Sequence, residues 1–193
     1  MLRMVEYLNE HPVKYVTLYG FSTENWGRPK EEVNGLFDLL ARFIEKELQF
    51  INQQNIKLCH IGRLEQLPPH LRESIGRAVE ATQGNSRMIL SIAFNYGGRA
   101  EIVDAVRKII REGVRPEDVD ESTFEKYLYT AGLPPVDLLI RTGDEVRFSN
   151  FLIWQTAYSE YYLTDVLWPD FGKEEIEKAL LSYSRRKRRF GAL

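Results

Sequence analysis

Apolar positions along the chain alternate between short continuous runs and helical stripes. Leu2 to Asn9 has the spacing of a short helix, and Tyr15-Val16-Thr17-Leu18-Tyr19 is a β-rich run that predicts a buried strand. Pro29 then stands where a helix would open, with Glu31 and Glu32 suited to the positive end of its dipole. This helix is predicted to reach about Asn52, with Val33, Phe37, Leu40 and Ile44 on one stripe. Leu36, Leu39, Phe43, Leu48, Phe50 and Ile51 widen that stripe beyond what one packing face needs. A strand follows at Ile56 to Ile61, and a helix opens after Pro68-Pro69. Met88 to Phe94 is the clearest buried strand. Ile102, Val103, Val106, Ile109 and Ile110 mark a helix stopped by Gly113 and Pro116. Ser122 with Glu125 has the spacing of a capping box for another short helix. Val136 to Ile140 is a strand, and Lys173 to Arg186 a final helix. Strands alternating with helices predict an α/β domain over residues 1–193, a mainly parallel central sheet flanked by helices.

Composition narrows the function classes. The chain has 193 residues, 44% hydrophobic and 28% charged, which is globular composition. A net charge of −2 gives no global basic field to recruit nucleic acid. One cysteine, Cys59, excludes an internal disulfide, and three scattered histidines argue against a dedicated zinc site. No apolar run approaches the ~18 residues of a membrane span, and the first residues lack the apolar stretch of a signal peptide. A cytoplasmic protein is the expectation.

Chemistry collects after three of the strands, where ligands of open α/β sheets lie. The first runs into Phe21-Ser22-Thr23-Glu24-Asn25-Trp26-Gly27-Arg28 and the third into Asn95-Tyr96-Gly97-Gly98-Arg99. The last runs into Arg141-Thr142-Gly143-Asp144-Glu145-Val146-Arg147-Phe148-Ser149-Asn150. Arg28, Arg99, Arg141 and Arg147, beside the hydroxyls of Ser22, Thr23 and Ser149, suit a phosphate group. The alternative reading pairs these arginines with Glu24, Glu32 and Glu145 on a solvated surface. No dinucleotide fingerprint, Walker lysine motif or nucleophilic triad is present. The residues by themselves therefore reach a site for a phosphorylated ligand next to a broad apolar helix, and no reaction.

At these same residues the chain resembles the cis-prenyltransferases, the undecaprenyl diphosphate synthase family. Phe21 to Trp26 with Arg28-Pro29 and Glu32 resembles the family's central motif, and Asn95 to Arg99 its second. Arg141-Thr142-Gly143 through Arg147-Phe148-Ser149-Asn150-Phe151 resembles its diphosphate-binding loop. Tyr158-Ser159-Glu160 and Thr164 to Phe171 complete a likeness that covers essentially the whole chain.

The resemblance implies condensation of isopentenyl diphosphate with an allylic diphosphate into a cis-polyprenyl diphosphate, assisted by Mg²⁺. It implies that Arg141, Arg147 and Ser149, with Phe148 beside them, hold isopentenyl diphosphate. Asn25 occupies the position often assigned to the proton-accepting step; a neutral amide is a poor base, so a positioning role is expected. Ser22, Thr23, Glu24, Trp26 and Arg28 would line the substrate site, and Glu160 would be a metal-site carboxylate. The helix from Glu31 to Asn52 would wall the tunnel for the growing chain; ordinary core is the alternative for each of its residues. Arg189 and Gly191 resemble a tail motif that supports the partner's site in a homodimer, and the basic run Arg185 to Arg189 could also meet anionic lipid at a membrane surface. The rival function is a non-catalytic partner subunit; such partners generally lose the central motif, which is intact here.

Three departures stand out. Family members carry an Asp-Gly-Asn-x-Arg-Trp strand end upstream of the point where this sequence begins, so an N-terminally incomplete domain, unable to elongate prenyl diphosphates as written, is the expectation. Asp144 replaces a usual glycine, adding negative charge near Arg141 and Arg147. Val146 stands where polar residues are common.

Overall fold

The computed structural model describes residues 2–186. In chain order its elements are α1 (Leu2–Glu10), β1 (Tyr15–Ser22), α2 (Lys30–Gln53), β2 (Ile56–Ile61), α3 (Pro69–Ala81), β3 (Met88–Tyr96), α4 (Gly98–Arg111), α5 (Glu121–Glu125), β4 (Leu138–Arg141), β5 (Glu160–Leu163) and α6 (Lys173–Ser184). They fall into two units, residues 12–133 and residues 1–11 with 134–193. Every strand pair described is parallel, as the βα alternation predicts.

In the first unit the strands are ordered β1-β3-β2. β3 sits between its two partners and is buried on both faces, with Leu90 and Phe94 on one side and Ser91, Ala93 and Asn95 on the other. β1 has a single hydrogen-bonded neighbour among the described residues, and Tyr15 is 49% exposed. The run read as a fully buried strand is thus a half-exposed one, because one of its edges makes no ladder. Helix α2 opens at Pro29 with Glu31 and Glu32 in its first turn, and ends where Asn55 adopts a left-handed φ of 55°. Only Val33, Phe37, Ile44 and Ile51 of its wide stripe are fully buried. Leu39 is 59% exposed, whereas Leu40 and Phe43 are half-buried. The α5 N-cap is Asp120, whose carboxylate accepts from Thr123 N–H at 2.7 Å. The capping box proposed at Ser122 is displaced, because an aspartate two residues earlier reaches the same orphan donors.

In the second unit α1 contacts α6, where the Tyr7 hydroxyl donates to Glu177 Oε1 at 2.9 Å. β4 pairs with β5, Leu138 opposite Glu160 and Arg141 opposite Leu163. Met4, Val5, Leu139, Leu152 and Ile176 are buried here.

Candidate active site

The first unit carries the turn that follows β1. Phe21, buried at the strand end, is followed by a tight 3₁₀ turn over Thr23–Gly27. The turn is closed from within: Ser22 N–H donates to Asn25 Oδ1 at 2.9 Å, and Arg28 N–H donates to Asn25 O at 3.0 Å. A backbone N–H can only donate, so the oxygen of the Asn25 amide must face Ser22 and its Nδ2 group remains to meet a ligand. Asn25 thus keeps its Nδ2 donors, and one lone pair of Oδ1, beyond the bond from Ser22. Beneath the turn lies an aromatic layer. Trp26 meets Phe21 and Phe37 edge-on at centroid distances of 5.7 and 5.4 Å, and Phe94 stacks on Phe21 at 5.2 Å. On the rim, Thr23 Oγ1 donates to Glu24 Oε2 at 3.1 Å, and Arg28 pairs with Glu32 at 2.7 Å.

The segment after β3 meets this turn. Trp26 Nε1 donates to Asn95 Oδ1 at 2.7 Å. Gly97 caps α4, and Tyr96 donates through its hydroxyl to the buried Glu101 carboxylate at 2.5 Å. Arg99 is exposed. Arg63, after β2, grips Asp104 with both arms of its fork at 2.7 and 3.0 Å. Burial pushes the Asp104 carboxyl up, but the bonds from Arg63 and Tyr129 and the charge of Arg107 hold it below its usual range.

Between α2, α3 and the sheet lies a cavity of about 40 Å³, lined among others by Leu40, Phe43, Ile44, Leu90 and Ile92, with Cys59 and His60 of β2. One water needs about 10–15 Å³, so the space is real, and its lining is apolar except for those two side chains. Burial, opposed weakly by Lys57, pushes the Cys59 thiol up, which makes it an inert wall rather than a nucleophile. Burial pushes His60 below its ordinary pKa, against the bond between its Nε2 and Phe94 O at 2.9 Å and the charge of Glu65. The unfolded chain would take up this proton near pH 6.5 while the folded one resists it. Stability is thus expected to be level above that pH and to fall as pH drops through 6.5, flattening once the folded ring protonates. Urea midpoints between pH 7.5 and 5 check this, and His60→Gln should remove the slope in that window; an unchanged slope would assign it elsewhere.

The second unit carries the loop after β4. It is bent by an uncommon run of left-handed residues, Gly143, Asp144, Ser149, Asn150 and Leu152. Gly143 N–H donates to Val166 O at 3.0 Å and Asp144 N–H to Thr164 O at 3.1 Å, so the loop start is pinned to the segment after β5. Arg141, the last residue of β4, has its Nε buried with no hydrogen-bond partner. A buried donor left unmet is costly, which makes the Arg141 guanidinium a candidate to take an oxyanion partner. Arg147 is 66% exposed and pairs with Glu145. Phe148 packs on Tyr161 at a centroid distance of 4.5 Å, and Ser149 is exposed. Glu160 accepts from Arg186 Nη1 at 2.6 Å, while Arg186 Nη2 donates to Tyr161 O at 3.0 Å.

Of the three chemistry-bearing segments, the first two are joined by the Trp26–Asn95 bond, and the third is carried by the other unit. Of the four arginines, Arg28 and Arg147 make the ion pairs that the alternative reading anticipated, whereas Arg141 keeps an unmet donor. Arg189 and Gly191 lie outside the described residues.

The family model described as "Putative undecaprenyl diphosphate synthase" matches residues 1–191. An isoprenyl transferase of Fusobacterium nucleatum is 50% identical over 191 residues, covering 99% of this chain and 82% of that protein. A ditrans,polycis-undecaprenyl-diphosphate synthase, (2E,6E)-farnesyl-diphosphate specific, from Pectobacterium atrosepticum is 44% identical over 193 residues, 98% of this chain and 76% of its own. The crystal structure of lavandulyl diphosphate synthase from Lavandula x intermedia, in complex with dimethylallyl diphosphate, matches with a TM-score of 0.94 at 37% identity, over 98% of this chain and 84% of that one.

Proposed function

This chain belongs to the undecaprenyl diphosphate synthase family of prenyltransferases, and from that premise we propose that it condenses isopentenyl diphosphate with an allylic diphosphate. In that reaction the terminal carbon of isopentenyl diphosphate bonds to the allylic carbon, pyrophosphate departs, and a proton is lost to form the new cis double bond. The observation that carries the reading is the buried, unmet Nε of Arg141 at the start of a strained loop. A diphosphate oxygen completes it, with Arg147, Ser149 and Phe148 along the same loop. Ser22, Thr23, Glu24, Trp26 and Arg28 line the substrate site on the other unit, and Asn25 offers its amide N–H to a diphosphate oxygen. The rival reading, a non-catalytic partner subunit, is disfavoured by the intact turn from Ser22 to Arg28. Incorporation of radiolabelled isopentenyl diphosphate into farnesyl diphosphate tests the reading. Absence of both incorporation and isopentenyl diphosphate binding would overturn it.

Prenyl diphosphate synthases are generally Mg²⁺-dependent, the metal neutralising charge that develops on the leaving pyrophosphate. Among the described residues no three acidic or histidine side chains gather at one point, and Glu160 is committed to Arg186. Mg²⁺ needs only one or two protein carboxylates beside substrate phosphates, and Glu160 would be such a carboxylate on exchanging Arg186 for the metal. A homodimer, in which Arg189 and Gly191 of each chain support the other's site, and contact with a membrane surface at product release remain part of the proposal. No described helix is long and apolar enough to cross a membrane.

The cavity between α2, α3 and the sheet is read as the start of the space for the growing chain. Leu40→Ala enlarges it and is expected to lengthen the product while costing less than the ~2–5 kcal/mol of an ordinary core Leu→Ala. Product chromatography beside a urea melt decides: a full core cost with an unchanged product distribution would return Leu40 to the core.

A further inference from the structure

The turn from Ser22 to Arg28 holds itself in shape through bonds within residues 22–32, but its placement on the sheet needs contacts from farther away. Ring packing of Trp26 on Phe21 and Phe37 supplies one. Such packing is tolerant of sliding, whereas the bond from Trp26 Nε1 to Asn95 Oδ1 at 2.7 Å has a direction.

Asn95 is built to hold that direction. It is completely buried at the end of β3 and takes a left-handed φ of 53°, a conformation in which asparagine is enriched. Its Nδ2 donates to Arg63 O at 2.9 Å and to Gln66 Oε1 at 3.2 Å, and its own carbonyl accepts from Arg63 N–H at 3.0 Å. Both amide protons are thereby spent on the segment after β2, so the amide cannot flip and its oxygen must face the indole. Arg63 is in turn anchored by its two bonds to Asp104 of α4. The chain of bonds runs from α4 through Arg63 and Asn95 to Trp26, each link with its donor and acceptor fixed.

We propose that Asn95 is a positioning residue for substrate binding: it fixes the Trp26 indole and, through it, the turn that presents Asn25 and Arg28. The proposal rests on the prenyltransferase reading, since it assigns what the turn binds. Asn95 itself need touch no substrate.

The experiment separates positioning from stability in the full chain. Calorimetric titration measures affinity for isopentenyl diphosphate and for farnesyl diphosphate, and thermal melts measure stability. Trp26→Phe keeps the ring contacts and deletes the N–H; it should lower affinity for at least one diphosphate by tenfold or more with little change in melting temperature. Asn95→Ala should lower it to the same extent, and the double variant should lose no more than either alone. Asn95→Asp retains an oxygen for the indole but loses both amide donors, so it should melt earlier yet bind within about threefold of the parent. In a Trp154→Phe, Trp168→Phe background, the emission of Trp26 should shift on Asn95→Ala and stay in place for Asn95→Asp. Parent-like affinity of a folded Trp26→Phe chain overturns the proposal, even if Asn95→Ala fails to fold. A parent that binds neither diphosphate overturns the functional reading beneath it.

Discussion

Replacing Arg141 by alanine is expected to weaken isopentenyl diphosphate binding by about 1.5–3 kcal/mol, the range for a hydrogen bond to a charged group, or roughly 10- to 150-fold. The same substitution should leave the melting temperature of the free protein unchanged or slightly raised. Both signs have one origin. The Nε of Arg141 is buried with no partner, so in the free protein it carries a desolvation cost that a ligand oxygen would repay. Arg141→Lys keeps the charge but not the planar fork, and should recover only part of the loss. Calorimetric titration beside a thermal melt checks the pair of signs. A variant that melts earlier and binds like the parent would make Arg141 a structural residue and remove the observation on which the functional reading rests.

Gly62→Ala is expected to be severely damaging, costing roughly 2–6 kcal/mol from backbone strain and overpacking together. Gly62 has a φ of +132°, and a Cβ built there would lie 2.3 Å from Phe94 O and 2.8 Å from Asn95 O. These are backbone atoms of β3, bonded to His60 and Arg63 on either side of Gly62 in the chain, so they cannot swing aside as a side chain would. Gly27 makes the contrast, because nothing lies within 4 Å of a Cβ there and its φ is not in the left-handed region. Gly27→Ala should stay within about 0.5 kcal/mol of the parent. Urea unfolding of the two variants side by side measures the difference; equal midpoints would mean that the ends of β2 and β3 are far softer than their bonds imply.

Much of this architecture is legible from local pattern because its causes are local. Ile56–Ile61, with Ile56 and Leu58 apolar on one face, becomes a strand of those bounds; Pro29, Glu31 and Glu32 announce α2 by chemistry that acts within one turn. The charge spacing of Arg28 and Glu32 likewise makes their pairing readable. What escapes the sequence is non-local. Glu160-Tyr161-Tyr162-Leu163 is too short and too little alternating to declare itself a strand, and becomes one by pairing with Leu138 to Arg141. The half-exposed character of β1 depends on which neighbours it acquires, which no window of the sequence contains. The Arg186 bond to Glu160 and the Trp26 bond to Asn95 join residues far apart in the chain. The motif around Asn95 is visible in the sequence, but its role as a buried tie is not, because asparagine in a glycine-rich segment reads first as a turn residue.

The strand order of the first unit also sets a timetable for its assembly. β3 is the shared neighbour of β1 and β2, yet it comes last of the three in the chain. As the polypeptide leaves the ribosome, Tyr15 to Ser22 and Ile56 to Ile61 therefore emerge before the one strand that joins them among the described residues. The ladders they make with it must wait until Met88 to Tyr96 has been made, which is the interval in which exposed strand edges find wrong partners. Loop closure over these separations slows the pairing further. The vulnerable period in the life of this protein is thus the span of synthesis between Ile61 and Tyr96, and a holdase that recognises extended apolar segments would be of most use to it there.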